Sequence, residues 1–380
     1  MNGELAAPGR LEQMSTRLGF FIAGFGTAAW APLVPFARAR VGLDDGELGL
    51  LLLCLGVGSI LSMPVAGALA SRFGIRRVIV VASLVICAML PLLATASSIY
   101  LLSASVLLFG ASVGAVDCVI NLQSVIVERA SGKSMMSGFH GLYSLGGIAG
   151  AGSVSGLLSL GASPLIAMVC VVVVMLIAIL RAAPHLLPYG GQKGTAAFAV
   201  PHGVVLFLGA LCFVVFLTEG AMLDWSAVFL ISMRGVEPSL AGFGYAAFAT
   251  TMTIGRLTGD VIVQRLGGVR VVLFGALCAA FGLILATVAP GAVAGLVGFA
   301  LVGAGCSNIV PVLYTAVGRQ KIMPEALAVA GMSTLGYAGI LCGPAAIGFL
   351  AHASSLSLAL QTVAILMIGV AACSRLLPRS

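Results

Sequence analysis

The chain has 380 residues, of which 60% are hydrophobic and only 8% charged, with a mean hydropathy of +1.17. A soluble domain carries about 25% charged residues, so this composition excludes the ordinary soluble classes and points to a membrane protein. The net charge of +7 does not suggest nucleic acid, because the basic residues sit in short gaps between apolar runs and form no patch interleaved with aromatics.

The amino terminus, MNGELAAPGRLEQMSTRLGFF, mixes acidic and basic residues and leads into an apolar run too long for a signal sequence, so no cleavage is expected. About 20 helical residues cross a ~30 Å hydrocarbon core. Twelve runs reach that length, at residues 16–38, 47–70, 78–96, 99–127, 135–159, 163–181, 202–230, 239–264, 269–288, 292–316, 325–351 and 357–377. The predicted fold class is therefore all-α, with twelve transmembrane helices in two bundles of six. The longest connection divides the runs evenly, giving an N-terminal bundle over 1–181, a cytoplasmic linker over 182–201 and a C-terminal bundle over 202–380. Sixteen of the nineteen Lys and Arg residues fall on or near one side, leaving Arg38, Arg40 and Arg234 opposite. The positive-inside rule then places both termini in the cytoplasm of a multi-pass protein of the bacterial inner membrane.

The halves repeat at one fixed offset of 193 in residue number. Gly110-Ala111 corresponds to Gly303-Ala304, Gly138 to Gly331, Gly150 to Gly343, Arg72 to Arg265 and Gly74 to Gly267. A parallel repeat of six helices is the plan of a secondary transporter.

Ionisable groups inside apolar runs mark candidate functional positions, since a carboxylate at mid-membrane costs ~2.5–3.5 kcal/mol on insertion scales. Asp117 lies in the fourth run and shares a helical face with Asn121, four residues on. Loss of solvation there favours the protonated carboxyl, which suits a proton carrier. His140 lies in the fifth run, and either titrates or donates a structural hydrogen bond. Glu219 and Asp224 lie in the seventh. Glu219 is expected in the cavity, and Asp224 near the outer end, bridging to Arg38, Arg40 or Arg234. Trp30 and Trp225 read equally as interfacial anchors or as an aromatic wall for a solute. Asn308, Tyr314, Ser333, Thr334 and Tyr337 are polar groups that either line the cavity or join helices. An inner gate is expected from Arg72, Arg76 and Glu128 in the first half and Arg256, Asp260, Arg265 and Glu325 in the second. No lysine or arginine is expected at the middle of a helix.

All nine cysteines lie inside apolar runs at irregular spacing, without CxxC pairs or His/Cys clusters, so neither disulfides nor a metal site is expected. No P-loop, GxSxG or HExxH occurs, so the expectation is no enzyme, no catalytic residue and no cofactor.

The segment Gly67-Ala68-Leu69-Ala70-Ser71-Arg72-Phe73-Gly74-Ile75-Arg76-Arg77, with its degenerate copy from Asp260 to Arg270, resembles the loop signature of the major facilitator superfamily. Ser71 stands where that family usually has Asp. Asp117 with Asn121, followed by Phe139-His140-Gly141-Leu142-Tyr143-Ser144-Leu145-Gly146-Gly147, resembles the fucose-permease branch of proton-coupled sugar symporters. Ala31 replaces the acid that this branch carries in its first helix, so a two-acid proton scheme does not transfer intact. The resemblance implies alternating access and proton-coupled symport of a neutral, sugar-like solute. Asp117 and Glu219 are then the proton-coupling candidates. Trp30, Asn121, His140, Tyr143, Asp224, Trp225, Asn308, Ser333 and Tyr337 are the candidates for solute contact. Proton-coupled efflux of amphiphilic or cationic drugs is the alternative. The expected partners are a small solute, protons and the lipid bilayer around a monomer.

Overall fold

The computed structural model describes residues 8–190, 200–238 and 240–378. Lys193 and Arg379, counted above among the cytoplasmic charges, lie outside these residues, as does the stretch 191–199 of the linker expected over 182–201. Among the described residues there are fourteen α-helices and no β-strand. In chain order they are α1 (Arg10–Ala28), α2 (Val34–Val41), α3 (Asp45–Phe73), α4 (Ile75–Thr95), α5 (Ile99–Ser131), α6 (Met136–Ser159), α7 (Pro164–Ala182), α8 (Gly203–Arg234), α9 (Phe243–Leu266), α10 (Gly268–Val288), α11 (Ala292–Cys306), α12 (Ile309–Val317), α13 (Glu325–Ala353) and α14 (Leu356–Cys373).

Two of the expected helices are interrupted. Pro32 and Pro35 lack the N–H that would continue the α1 ladder, and a 3₁₀ turn at Ala31–Leu33 joins α1 to α2. The second break falls at Ser307 and Asn308, where Asn308 adopts φ −112° and ψ 0° between α11 and α12. Ten helical stretches, including the composite Arg10–Val41 and Ala292–Val317, are long and apolar enough to cross a bilayer. The 24-residue helices α6 and α9 are not among them. Glycine and serine dilute the first, and Arg256, Asp260 and Arg265 the second.

The chain packs as two compact units. The first takes its described residues from Met1–Lys133, Leu142–Val200 and Met323–Gly331, and the second from Ser134–Gly141, Pro201–Ile322 and Met332–Ser380. This differs from a simple division into halves, because the first residues of α6 belong to the second unit and the first residues of α13 to the first. Such exchange follows from long-range packing and leaves no local mark in the sequence.

Within the first unit α5 packs on α3, α4 and α1, and α7 packs on α4 and α1. Within the second, the helices that correspond under the repeat make the same contacts: α11 on α9, α10 and α8, and α14 on α10 and α8. The repeat offset also carries both ends of α4, Ile75 and Thr95, onto both ends of α10, Gly268 and Val288. Glycines allow the closest approaches, as expected where packing rather than hydrophobicity joins membrane helices. A Cβ on Gly110 would run into the Leu55 carbonyl oxygen, and one on Gly303 into that of Phe248, the corresponding pair.

Arginines close the helix ends opposite the basic loops. Arg40 donates to the carbonyls of Leu93, Ala94 and Ala96 at the end of α4, at 2.7–2.8 Å. In the second unit Arg234 donates to Ala286 and Thr287 at the end of α10, at 2.6 and 3.0 Å. These carbonyls have no partner within their own helix, and a cation also suits the negative end of the helix dipole.

Candidate functional site

The buried polar groups of the second unit gather around α8, α9, α12 and the ends of α6 and α13. Glu219 on α8 meets Arg256 on α9, with Nη2 at 3.3 and 3.4 Å from the two carboxylate oxygens. The side chains are 16% and 8% exposed respectively, so this ion pair is largely removed from solvent. Arg256 lies near the middle of its helix, which runs from Phe243 to Leu266. The expectation of no cation inside a helix is therefore corrected, and Arg256 belongs to this pair rather than to a row of gate charges at a helix end. The repeat explains why the sequence does not announce the pair. Its equivalents in the first unit are Gly26 and Met63, so the symmetry carries no hint of charge there.

Close by, Tyr314 on α12 shares a 2.7 Å hydrogen bond with Ser333 on α13, both fully buried. The His140 ring, at the start of α6, lies 5.6 Å from the Tyr314 ring centre, tilted by 31°. His140 and Tyr245 also lie within electrostatic range of Arg256. Tyr337 stands edge-on to Phe216 at 6.0 Å. Asn308, at the break between α11 and α12, donates through Nδ2 to the Gly255 carbonyl at 3.0 Å. That contact fixes the backbone beside Arg256. The Asn308 Oδ1 atom is buried and has no hydrogen-bond partner among the described residues. Ser333, His140, Asn308, Tyr337 and Glu219 thus all belong to the second unit.

In the first unit Asp117 and Asn121 share one face of α5, both buried, and Asn121 Nδ2 donates to the Asp117 backbone carbonyl at 2.9 Å. The Oδ1 atom of Asn121 is buried without a hydrogen-bond partner among the described residues. Tyr143 is half-buried against the core of this unit. Trp30 is only 4% exposed and lies in the same core, so neither an interfacial anchor nor an exposed aromatic wall describes it. Trp225 is half-buried against Gly348 in the second unit. Asp224 is exposed and makes no ion pair among the described residues. Within the same unit the expected bridge to Arg234 is not made, and that guanidinium group donates to the Ala286 and Thr287 carbonyls.

The expected gate residues separate into distinct contacts. Glu325, at the start of α13, pairs with Arg129 at 3.0 Å in the first unit. In the second unit Asp260 Oδ1 accepts the Gly138 backbone N–H at the start of α6, at 3.0 Å. Arg76 donates to the Leu186 and Pro184 carbonyls, holding the chain after α7 against the α3–α4 turn. Arg72 stacks over Phe73, 5.2 Å from its ring centre. Glu128 is buried, and Arg265 is exposed without a hydrogen bond or ion pair among the described residues. One buried polar group not singled out from the sequence is Gln123, which donates to Thr16 and accepts from the Leu187 backbone N–H. An amide inside the apolar run from Leu107 is its available signal. No group of three His, Cys, Asp or Glu side chains among the described residues is placed to hold a metal.

Helices long and apolar enough to cross a bilayer, repeated packing and a buried ion pair are the build of a membrane transporter. The chain matches the family model of the Major Facilitator Superfamily over residues 17–321, and it belongs to that superfamily. It is 55% identical over 373 residues to an uncharacterised MFS-type transporter of Yersinia pestis, covering 98% of this chain and 97% of that one. It is 31% identical over 367 residues to the membrane protein MosC of Rhizobium meliloti, covering 95% and 89%. Among solved structures, the fucose:proton symporter FucP of E. coli superposes with a TM-score of 0.81 at 14% identity, covering 97% of this chain and 98% of that one. The proton:xylose symporter XylE superposes with a TM-score of 0.73 at 14% identity, covering 97% and 96%.

Proposed function

We propose that this transporter takes up a small, neutral, sugar-like solute together with protons, exposing its polar cluster alternately to the two sides of the membrane. The observation that carries the reading is the buried Glu219–Arg256 pair beside Tyr314, Ser333, His140 and Asn308. The pair presents no net charge, while the hydroxyls, the amide and the aromatic rings suit a polyol better than a multiply charged anion. Protonating Glu219 removes the attraction that holds Arg256 to it, so the pair is a two-position element that a proton can bias. Of the two proton-coupling candidates offered by the sequence, Glu219 is therefore put first and Asp117 second. The symporters FucP and XylE share the fold, which agrees with this reading without deciding the solute. In the same proposal α6 and α9 also cross the bilayer, making twelve spans with both termini cytoplasmic. The matching ends of α4 and α10 support an internal duplication.

The test is active uptake from a sugar panel into proteoliposomes under a fixed pH gradient. Glu219→Gln is expected to lower accumulation at least tenfold while leaving exchange of preloaded solute intact, with Asp117→Asn affected less. Full accumulation by Glu219→Gln with failure of Asp117→Asn would return the coupling to α5. Loss of preloaded cationic dye driven by the gradient, with no sugar uptake, would replace symport by efflux.

A further inference from the structure

A groove of about 600 Å³ runs along the first unit between α3, α4 and α5, and none of its lining residues belongs to the polar cluster. Its wall on α3 is a stripe of Leu61, Val65, Leu69 and Phe73, all substantially exposed. Its floor is set back by small residues of α5, including Ala111 and Ala115. From Gly58 to Phe73 the α3 wall is about 22 Å long at 1.5 Å per residue, more than half the ~30 Å hydrocarbon core. The two serines in the lining offer a polar solute nothing, since Ser62 and Ser112 each bond a carbonyl of their own helix at 2.9 Å.

One end of the groove is basic. Arg77 lines it, is exposed, and makes no hydrogen bond or ion pair among the described residues. Arg72 lies at the same end, stacked on the Phe73 ring that forms the wall. Arg76 is turned to the chain after α7 and does not compete. From Gly67 to Arg77 there are three arginines and no acid. Ser71, where the family usually carries Asp, bonds the Gly67 carbonyl of its own helix at 3.2 Å. Nothing in this loop therefore neutralises Arg72 and Arg77. The distribution of basic residues places this end at the cytoplasmic leaflet, which carries the anionic lipids.

We infer that the groove holds one acyl chain of an anionic glycerophospholipid, whose phosphate and headgroup sit on Arg77 and Arg72. The length and dryness of the groove select a chain, and the uncompensated arginines at one end select a negative headgroup.

The test is lipid binding to the full-length protein in mild detergent, followed by native mass spectrometry. Phosphatidylglycerol is titrated against phosphatidylcholine with the same acyl chains. The wild type is expected to prefer phosphatidylglycerol. Arg77→Gln should weaken that lipid about fivefold and leave phosphatidylcholine unchanged, the effect of losing one charge near the membrane surface. Val81→Trp, which fills the groove from an exposed position, should weaken both lipids. Arg181→Gln, a basic change at the end of α7, should alter neither. Equal phosphatidylglycerol affinity in Arg77→Gln and wild type would overturn the assignment, as would equal losses in Arg77→Gln and Arg181→Gln. Retention of binding by Val81→Trp would do the same. None of these variants touches the Glu219–Arg256 cluster, so the outcome is independent of the transport reading.

Discussion

The two units solve the same packing problem with the bulk on opposite sides of the contact. In the first unit Gly114 on α5 lies against Ser59 and Ser62 of α3, where an added Cβ would meet the Ser62 hydroxyl at 2.8 Å. At the corresponding positions of the second unit, Ser307 follows α11 and Gly255 is on α9, and a Cβ on Gly255 would meet the Ser307 hydroxyl. Serine and glycine have changed places across the interface. One turn further, Ala66 and Ala115 of the first unit become Gly259 and Asn308 of the second, with the Asn308 amide occupying the space beside Gly259. Total volume is kept, which is the condition under which packed interiors tolerate change. The consequence differs between units: α5 runs unbroken through this level, whereas the chain between α11 and α12 breaks there. The break brings a buried amide to the turn that carries Arg256. At this level the second unit carries a buried amide, Asn308, where the first carries Ala115, opposite a helix position reduced from Ala66 to Gly259.

The sharpest way to break this comparison is to restore volume on one side only. Gly255→Ser is expected to lower stability by ~3 kcal/mol, at the upper end of overpacking costs, because the existing contact has no slack. The double variant with Ser307→Gly reproduces the arrangement of the first unit and should recover most of that loss. A double-mutant cycle on the apparent thermal midpoint in detergent measures the coupling. Simple addition of the two single effects would show that the exchange is incidental.

A second, smaller test uses the next pair. Gly259→Ala places a Cβ directly against Asn308 Oδ1, with Ser137 Cβ 2.6 Å away. The amide can turn aside, so a loss of about 1–3 kcal/mol is expected, with partial recovery on adding Asn308→Ala. Because Asn308 also fixes the Gly255 carbonyl, the double variant should regain thermal stability but not uptake. Recovery of both would separate Asn308 from the positioning of Arg256.

How much of this is legible in the sequence varies with the range of the interaction. The helices are written in continuous apolar runs, and the expected 269–288 compares with Gly268–Val288 in the structure. Asp117 with Asn121, and His140 with Ser333, stand out because ionisable and amide groups inside such runs are costly. Arg256 reads as a helix-end charge because hydropathy does not locate a residue against its partner, and only the approach of α8 to α9 reveals Glu219 beside it. Trp30 is ambiguous because a tryptophan near a helix end packs into a core or sits at an interface with the same local sequence. Arg40 and Arg234 look like partners for Asp224, since nothing local distinguishes an arginine awaiting a carboxylate from one capping a neighbouring helix. The exchanged beginnings of α6 and α13 depend on contacts with residues far away in the chain.

Those exchanged helix ends extend the comparison to weaker forces. In the second unit, Asp260 accepts the N–H of Gly138 at the positive end of the α6 dipole, and both groups are half-buried. The corresponding residue of the first unit is Gly67, which has no side chain to do the same and packs against Ala330 instead. Asp260→Ala should therefore cost about 1.5–2 kcal/mol, in the range for a hydrogen bond to a charged group. Gly67→Asp should not supply a matching gain, because its Cβ would lie 2.7 Å from that of Ala330. Thermal midpoints of the two variants check the pair, and equal and opposite changes would contradict the asymmetry.

The smallest expected effect belongs to the fastening that the first unit uses in place of a buried carboxylate. Glu325 at the start of α13 meets Arg129, but the arginine side chain is 54% exposed, so water and salt compete for both charges. Exposed pairs of this kind contribute ~0–1 kcal/mol. The Debye length shortens from about 8 Å at physiological ionic strength to about 3 Å at 1 M, which removes most of what remains. Glu325→Gln should accordingly lower the thermal midpoint slightly at low salt and leave it unchanged at 1 M. Asp260→Ala, acting through a half-buried hydrogen bond, should keep most of its deficit at both. A deficit for Glu325→Gln that survived high salt would mean that the two helix ends are held with comparable strength. A deficit confined to low salt would leave the start of α13 the more weakly held of the two helix ends.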